Sequence, residues 1–250
     1  MDKREVWAIA KEQLALDLGC EVELLDSKEN VVIQWKDMPG RRKYSGDTPF
    51  LEVVVIGGKL VCACHKDLLP WAEENLLPRK AEWLLLPQNH RRIEAGLAPF
   101  GYEIGDARHF YLPDVSLPFS TPRSLVRWYE GDALEQFRES DAWDEALAFN
   151  KFTPDMLAVA SLDKSGALAA MAGASRDSET MWQIGIRVLP GHQGEGLGAN
   201  LTALLKDELL RRGILPFYST AESHIASQNV GLRAGFRPAF AYLYAQPKGK

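Results

Sequence analysis

The chain has 250 residues, 46% of them hydrophobic, and 29 Lys+Arg against 34 Asp+Glu give a formal net charge of −5. That length carries one large domain or two small ones, and the mild acidity lacks the basic excess that a nucleic-acid backbone attracts, so no nucleic-acid partner is expected. No stretch approaches the roughly 18 apolar residues of a membrane span, and charges at Asp2-Lys3-Arg4-Glu5 sit where a secretory signal needs apolar residues, so a cytoplasmic protein with no membrane partner is expected.

In chain order, Val6, Ile9, Ala10, Leu14, Leu16 and Leu18 near a 3.6-residue period predict an opening helix that Gly19 stops. Short β-like runs follow at 31–35, 51–56 and 60–64, and Gly57-Gly58 between the last two predicts a hairpin. Cys62 and Cys64 would share a strand face, and zinc spacing is missing because no second ligand pair follows, so buried thiols are expected there and no metal. A helix over 68–76, a run at 83–86, a helix over 88–97 and a strand over 102–112 complete the first half. Pro113, Pro118 and Pro122 predict an extended connection, and a domain boundary is placed there, giving an α+β domain over 1–120 and a second over 121–250.

The second half reads as a strand at 124–129, helices at 132–137 and 143–150, and strands at 156–161, 167–174 and 180–188. Leu201, Leu204, Leu205 and Leu209 mark the clearest helix, 197–212, with Gly213 as its C-cap. A strand at 214–220, a helix at 225–234 and a strand at 239–245 close the chain. Between the strand ending at Val188 and the helix lies Pro190-Gly191-His192-Gln193-Gly194-Glu195-Gly196-Leu197-Gly198. Glycines there let backbone N–H groups approach a ligand, and a helix N-terminus favours an anion, so the loop suits a phosphate or pyrophosphate. It is neither a dinucleotide fingerprint nor a Walker loop, whose spacing and Gly-Lys-Ser/Thr it lacks.

Gln193-x-x-Gly196-x-Gly198 resembles the acetyl-CoA pyrophosphate loop of the GNAT N-acetyltransferase superfamily, whose signature is Q/R-x-x-G-x-G/A. Ala226-Ser227-x-x-Val230 with Gly235-Phe236 is similar to that family's second motif, and the element order from about 122 to 245 is that of its fold. The resemblance implies a mixed, mostly antiparallel sheet flanked by helices, preceded by a smaller α+β domain. It implies that Ile186, Arg187 and Val188 present backbone to the pantetheine arm. Gln193, Gly194, Glu195, Gly196, Leu197, Gly198 and Ala199 would form the pyrophosphate loop, and His224 would stand where many members carry a cofactor-touching Asn.

Two positions depart from the family. Gly231 stands where many members carry a tyrosine acid, and Trp182 where some carry a catalytic Glu. Glu179 and Tyr218 are therefore the candidate catalytic residues, with Ser219 and Glu222 nearby in sequence. The implied activity is transfer of an acetyl group from acetyl-CoA to a primary amine of a small molecule or peptide bound between the halves, a transferase of EC class 2.3.1. A silent acyl-CoA-binding sensor and transfer of a larger acyl group are the alternatives. Oligomeric state is open, a homodimer included. A helix, then Phe100-Gly101 and a strand parallel Gly235-Phe236 and the closing strand. The first half thus reads equally as a degenerate repeat or as an unrelated lid, without a second phosphate loop.

Overall fold

The computed structural model describes residues 1–43 and 48–249. Its elements are α1 (Lys3–Leu18), β1 (Val31–Gln34), β2 (Leu51–Ile56), β3 (Lys59–Cys64), α2 (Leu69–Asn75), α3 (Pro87–Leu97), β4 (Tyr102–Pro113), β5 (Val126–Glu130), β6 (Asp155–Leu162), β7 (Leu168–Arg176), β8 (Met181–Val188), α4 (Leu197–Arg211), β9 (Leu215–Ala221), α5 (Ile225–Arg233) and β10 (Phe236–Pro247). The architecture is mixed α+β. Two compact units form: one from residues 1–10, 42–45 and 111–238, the other from 11–41, 46–110 and 239–250. The units interleave in sequence, so neither coincides with a continuous 1–120 or 121–250 segment. The chain passes from one to the other within α1, within β4 and within β10.

In the second unit, β1 runs parallel to β3, β3 antiparallel to β2, and β2 antiparallel to β10. Gly57 and Gly58 turn the hairpin at φ +60° and +82°, the left-handed pair that a primed two-residue turn demands. Cys62 and Cys64 are free and fully buried, packed with Leu51, Val53, Leu68, Ile93 and Leu243 in one core. Before α3 there is a single 3₁₀ turn, Ala81–Trp83, rather than a strand. The parallel between the halves therefore reduces to a helix, a left-handed glycine (Gly101 at φ +75°, Gly235 at +86°) and a strand.

The first unit is built on the strand order β9-β8-β7-β6-β5. Neighbours are antiparallel except β8 and β9, which are parallel. Alternation along β6 splits its side chains between two cores: Leu157 and Val159 face the α4 layer, while Ala158 and Ala160 face Tyr129, Phe137 and Trp143. One helical layer therefore covers each face, the first of them α4, with Leu201, Leu205 and Leu209 buried.

The opposite layer differs from its predicted form. Residues 132–137 wind as a 3₁₀ helix, Gly131–Phe137, and of 143–150 only the 3₁₀ turn Asp141–Trp143 is helical. Two cross-strand glycines explain this. A Cβ at Gly173 would lie 2.1 Å from the Ala146 carbonyl oxygen, and one at Gly185 2.4 Å from that of Glu145. With Gly173 opposite Gly185 in the β7–β8 register, the backbone of 145–146 packs directly onto the sheet. Phe149, at φ +47°, then turns the chain away from helical geometry altogether.

The segment is tied down by Asp155, whose Oδ2 accepts the Phe149 N–H at 2.7 Å. Burial pushes the Asp155 carboxyl up to about 6, against the lowering effects of the Phe149 bond and Arg138. Folding thus favours the protonated acid, so this group's contribution to stability is largest below about pH 4 and shrinks as pH rises through 6. Asp155→Asn keeps an oxygen for Phe149 and cannot ionise. The variant should match the parent below pH 4 in chemical denaturation and exceed it at pH 7, by at most about 3 kcal/mol; a difference independent of pH would contradict this assignment.

Candidate functional site

Strands β8 and β9 pair only over Met181–Gln183 with Leu215–Phe217. Beyond Gln183, the edge of β8 that faced β9 carries no strand partner among the described residues. The two strands stop pairing there, and β8 is half-buried from Gly185 to Val188. A row of backbone N–H and C=O groups is left for another extended chain to pair with.

At the end of that wall the chain enters the glycine loop. Gly191, Gly194 and Gly196 adopt φ of +93°, +83° and +78°, conformations that a side chain makes unfavourable. Gly196 caps α4 without any side-chain hydrogen bond to the first turn. The leading N–H groups of α4 are therefore open to an anion. Gly198 sets the closeness of helix and strand: a Cβ there would come 3.2 Å from Val188 Cγ2 and 3.6 Å from both Ile186 Cγ1 and Val230 Cγ2. Ile186, Val188 and residues 193–199 thus converge at one place, with Gln193, Gly194 and Glu195 exposed. His192 Nδ1 lies 3.8 Å from the Glu195 carboxylate.

The connection 114–123 runs along α4 toward the same loop. Asp207, buried on α4, accepts the Ser120 N–H at 2.6 Å. Asn200 holds both the Thr121 carbonyl and the Arg123 N–H at 2.9 Å. Arg123 is thereby delivered beside the loop, its Nη1 being 3.5 Å from where a Gly196 Cβ would stand. The proline pattern predicts the extended strap; it gives no sign of the two buried polar anchors.

Tyr218 sits on β9, 2% exposed, on the α5 side of the sheet. Its hydroxyl is 2.7 Å from Ser227 Oγ on α5. A Cβ at Gly231 would come 3.0 Å from Tyr218 Cδ1, so the glycine at this position makes room for the ring. Burial raises the hydroxyl's pKa, Ser227 lowers it, and the charges of Tyr111 and Glu145 raise it further. The phenol is protonated at neutral pH.

The remaining candidates are dispersed. Glu179 lies exposed in the bend before β8, on the far side of the paired stretch Met181–Gln183 from the open wall. The structure does not bring it to the cleft. His224 caps α5 at φ −84°, ψ +67°, exposed and without a side-chain cap bond. Ser219 Oγ accepts from Gln183 Nε2 at 3.2 Å on the opposite face from Tyr218. Trp182 is 8% exposed with its indole N–H unpartnered among the described residues. Among those residues no group of three or more His, Cys, Asp or Glu could hold a metal ion. No helix is long and apolar enough to cross a membrane.

Sequence patterns miss Glu145. Predicted inside a helix, it instead lies over Gly185, its carboxylate 3.0 Å from Arg187 Nη1. The cue is the glycine pair in β7 and β8, visible as isolated glycines inside strand patterns. Gly185→Ala should lower stability by about 2 kcal/mol, since a backbone carbonyl rather than a flexible side chain must move. Denaturant unfolding checks it, and an unchanged midpoint would mean that 145–146 does not rest on the sheet.

Residues 123–236 match the model of a family described as the acetyltransferase (GNAT) family. No curated protein is significantly similar in sequence. Among solved structures, a GCN5-related N-acetyltransferase from Kribbella flavida is 17% identical, with 62% of this chain aligned to 63% of that one at a TM-score of 0.45. The alignment thus spans less than two thirds of that protein. A GCN5-related N-acetyltransferase-like protein from Streptococcus suis is 16% identical, with 95% of this chain and 99% of that one covered at a TM-score of 0.46. An acetyltransferase from the GNAT family from Colwellia psychrerythraea is 11% identical over 98% and 97%, at a TM-score of 0.46.

Proposed function

Residues 123–236 being a GNAT acetyltransferase domain, we propose that the chain transfers an acetyl group from acetyl-CoA directly to a primary amine. The observation that carries this reading is the meeting of an open strand edge at Ile186–Val188 with an uncapped helix start at Leu197–Ala199. A thioester on a long amide-bearing arm with a pyrophosphate at its far end has that pattern of needs. The arm's amides pair with β8 as an added strand would. The pyrophosphate takes the N–H groups of Gly194–Ala199, where the α4 dipole favours negative charge, and His224 lies at the start of the neighbouring helix.

Chemistry then requires positioning and proton control. The acceptor ammonium loses one proton to solvent, and the neutral amine attacks the thioester carbonyl carbon. The C–N bond forms and the C–S bond breaks as the tetrahedral intermediate collapses. Its nitrogen gives up a second proton to solvent, and the departing thiolate takes one from Tyr218, which is re-protonated from solvent through Ser227. Burial keeps the phenol protonated at neutral pH, so it carries a proton when the thiolate forms. Glu179 has no part in this scheme, being remote from the open wall of β8.

Titration calorimetry with acetyl-CoA, alongside thiol release on an amine panel, tests the reading. The protein should bind acetyl-CoA, and Gly196→Asp should weaken that binding at least about 100-fold by setting a carboxylate against the pyrophosphate. Tyr218→Phe should lower kcat about 10- to 100-fold with the acetyl-CoA affinity retained. Binding without turnover of any amine would favour an acyl-CoA sensor, and unchanged affinity in Gly196→Asp would show that the loop is not the pyrophosphate site.

A further inference from the structure

From Val188 to Ala199 the only ionisable side chains are His192 and Glu195, and His192 Nδ1 stands 3.8 Å from the Glu195 carboxylate. The glycine loop therefore carries a carboxylate, and no arginine or lysine of its own, to the start of α4. An exposed helix terminus alone attracts an anion weakly, and salt screens the attraction further. A doubly charged pyrophosphate at this loop calls for a countercharge from elsewhere in the chain.

Arg123 is placed to supply it. Its Nη1 lies 3.5 Å from where a Gly196 Cβ would stand, and among the described residues its guanidinium makes no hydrogen bond or ion pair. The backbone around this exposed side chain is, by contrast, pinned on both sides. Ahead of it, Asp207 accepts the Ser120 N–H at 2.6 Å, and Asn200 Nδ2 donates to the Thr121 carbonyl at 2.9 Å. Asn200 Oδ1 accepts the Arg123 N–H itself at 2.9 Å. Behind it, Ser124 Oγ is 2.8 Å from Ser161 Oγ, and the Leu125 carbonyl accepts the Leu162 N–H at 2.9 Å. Asn200 is 8% exposed and stands in the first turn of α4. The helix that offers its open N–H groups thus also fixes, through one buried amide, where the Arg123 side chain starts. Burying that amide is costly unless both its ends are bonded, and both are bonded to the strap's main chain.

We propose that Arg123 is a side-chain ligand of the acyl-CoA pyrophosphate and that Asn200 is the positioning residue that holds it beside the loop. The assignment rests on the acetyltransferase reading and adds to its backbone donors a cation that the loop motif does not contain. The planar guanidinium donates to pyrophosphate oxygens that the Gly194–Ala199 N–H groups leave free.

Titration calorimetry tests this with coenzyme A and with dephospho-coenzyme A, which keeps the pyrophosphate and lacks the 3′-phosphate. The proteins are the parent, Arg123→Ala, Arg123→Lys, Asn200→Ala and the double variant Arg123→Ala with Asn200→Ala, each with a melting curve. Arg123→Ala should weaken both ligands alike, by about 10- to 100-fold, the loss of a charge-assisted contact, at an unchanged melting temperature. Arg123→Lys should recover part of that loss. Asn200→Ala should weaken binding in the parent and much less in the Arg123→Ala background, because it acts through that side chain. Equal affinities in the parent and Arg123→Ala, with Gly196→Asp still impaired, overturn the assignment and leave the acetyltransferase reading standing. A loss seen with coenzyme A and absent with dephospho-coenzyme A moves the guanidinium to the 3′-phosphate and overturns the assignment too. So does a lowered melting temperature in Arg123→Ala with no recovery in Arg123→Lys, which marks strap packing instead. A parent protein that binds neither ligand overturns the reading and the assignment together.

Discussion

The packing of the first turn of α4 against the end of β8 is the contact on which the candidate site depends. A glycine at position 198 suits it: a Cβ there would stand 3.2 Å from Val188 Cγ2, which would have to give by a few tenths of an ångström. That closeness sets the helix start beside the strand edge, so that backbone donors of two kinds lie together as the proposed ligand requires. The left-handed glycines of the loop make the sharp entry, and Asn200 and Asp207 hold the preceding strap against the same helix. Most of the candidate site is therefore main chain. A charge count over the whole sequence says nothing about such a site.

The same economy of side chains operates on the other face of the sheet. Gly173 and Gly185, paired across β7 and β8, let an irregular segment press onto the strands. Their lost β-propensity is offset by the packing of Trp143, Ala146 and Leu147 into the core of that layer. At 231, one more glycine admits the Tyr218 ring from β9. Three glycines thus decide which side chains can approach the parting of β8 and β9.

Much of this was legible in the sequence, and the limits are instructive. The strands and the long helices follow their periodicity, because β2, β3 and β6–β8 are buried runs with clear turn chemistry between them. The glycine loop was legible because its spacing and its position before the strongest amphipathic helix are both unusual. The layer over 131–150 was not. Its helical spacing is real, but the close contact of 145–146 with Gly173 and Gly185 comes from strands 25 or more residues further along the chain. The interleaving of the two units was hidden for a similar reason. Pro113–Pro122 reads as a boundary, whereas the chain changes unit inside β4 and β10, which run straight on. Tyr218 was visible as a candidate, but the reason for it, room made by Gly231, needs the fold.

The account stands on backbone amides, and amide hydrogen exchange reads them directly. Exchange measured on the full-length protein with and without acetyl-CoA should slow at Gly194–Ala199 and at Ile186–Val188, with the β1–β3 hairpin region unaffected. Protection elsewhere, with these two segments exchanging at the same rate in both samples, would contradict it.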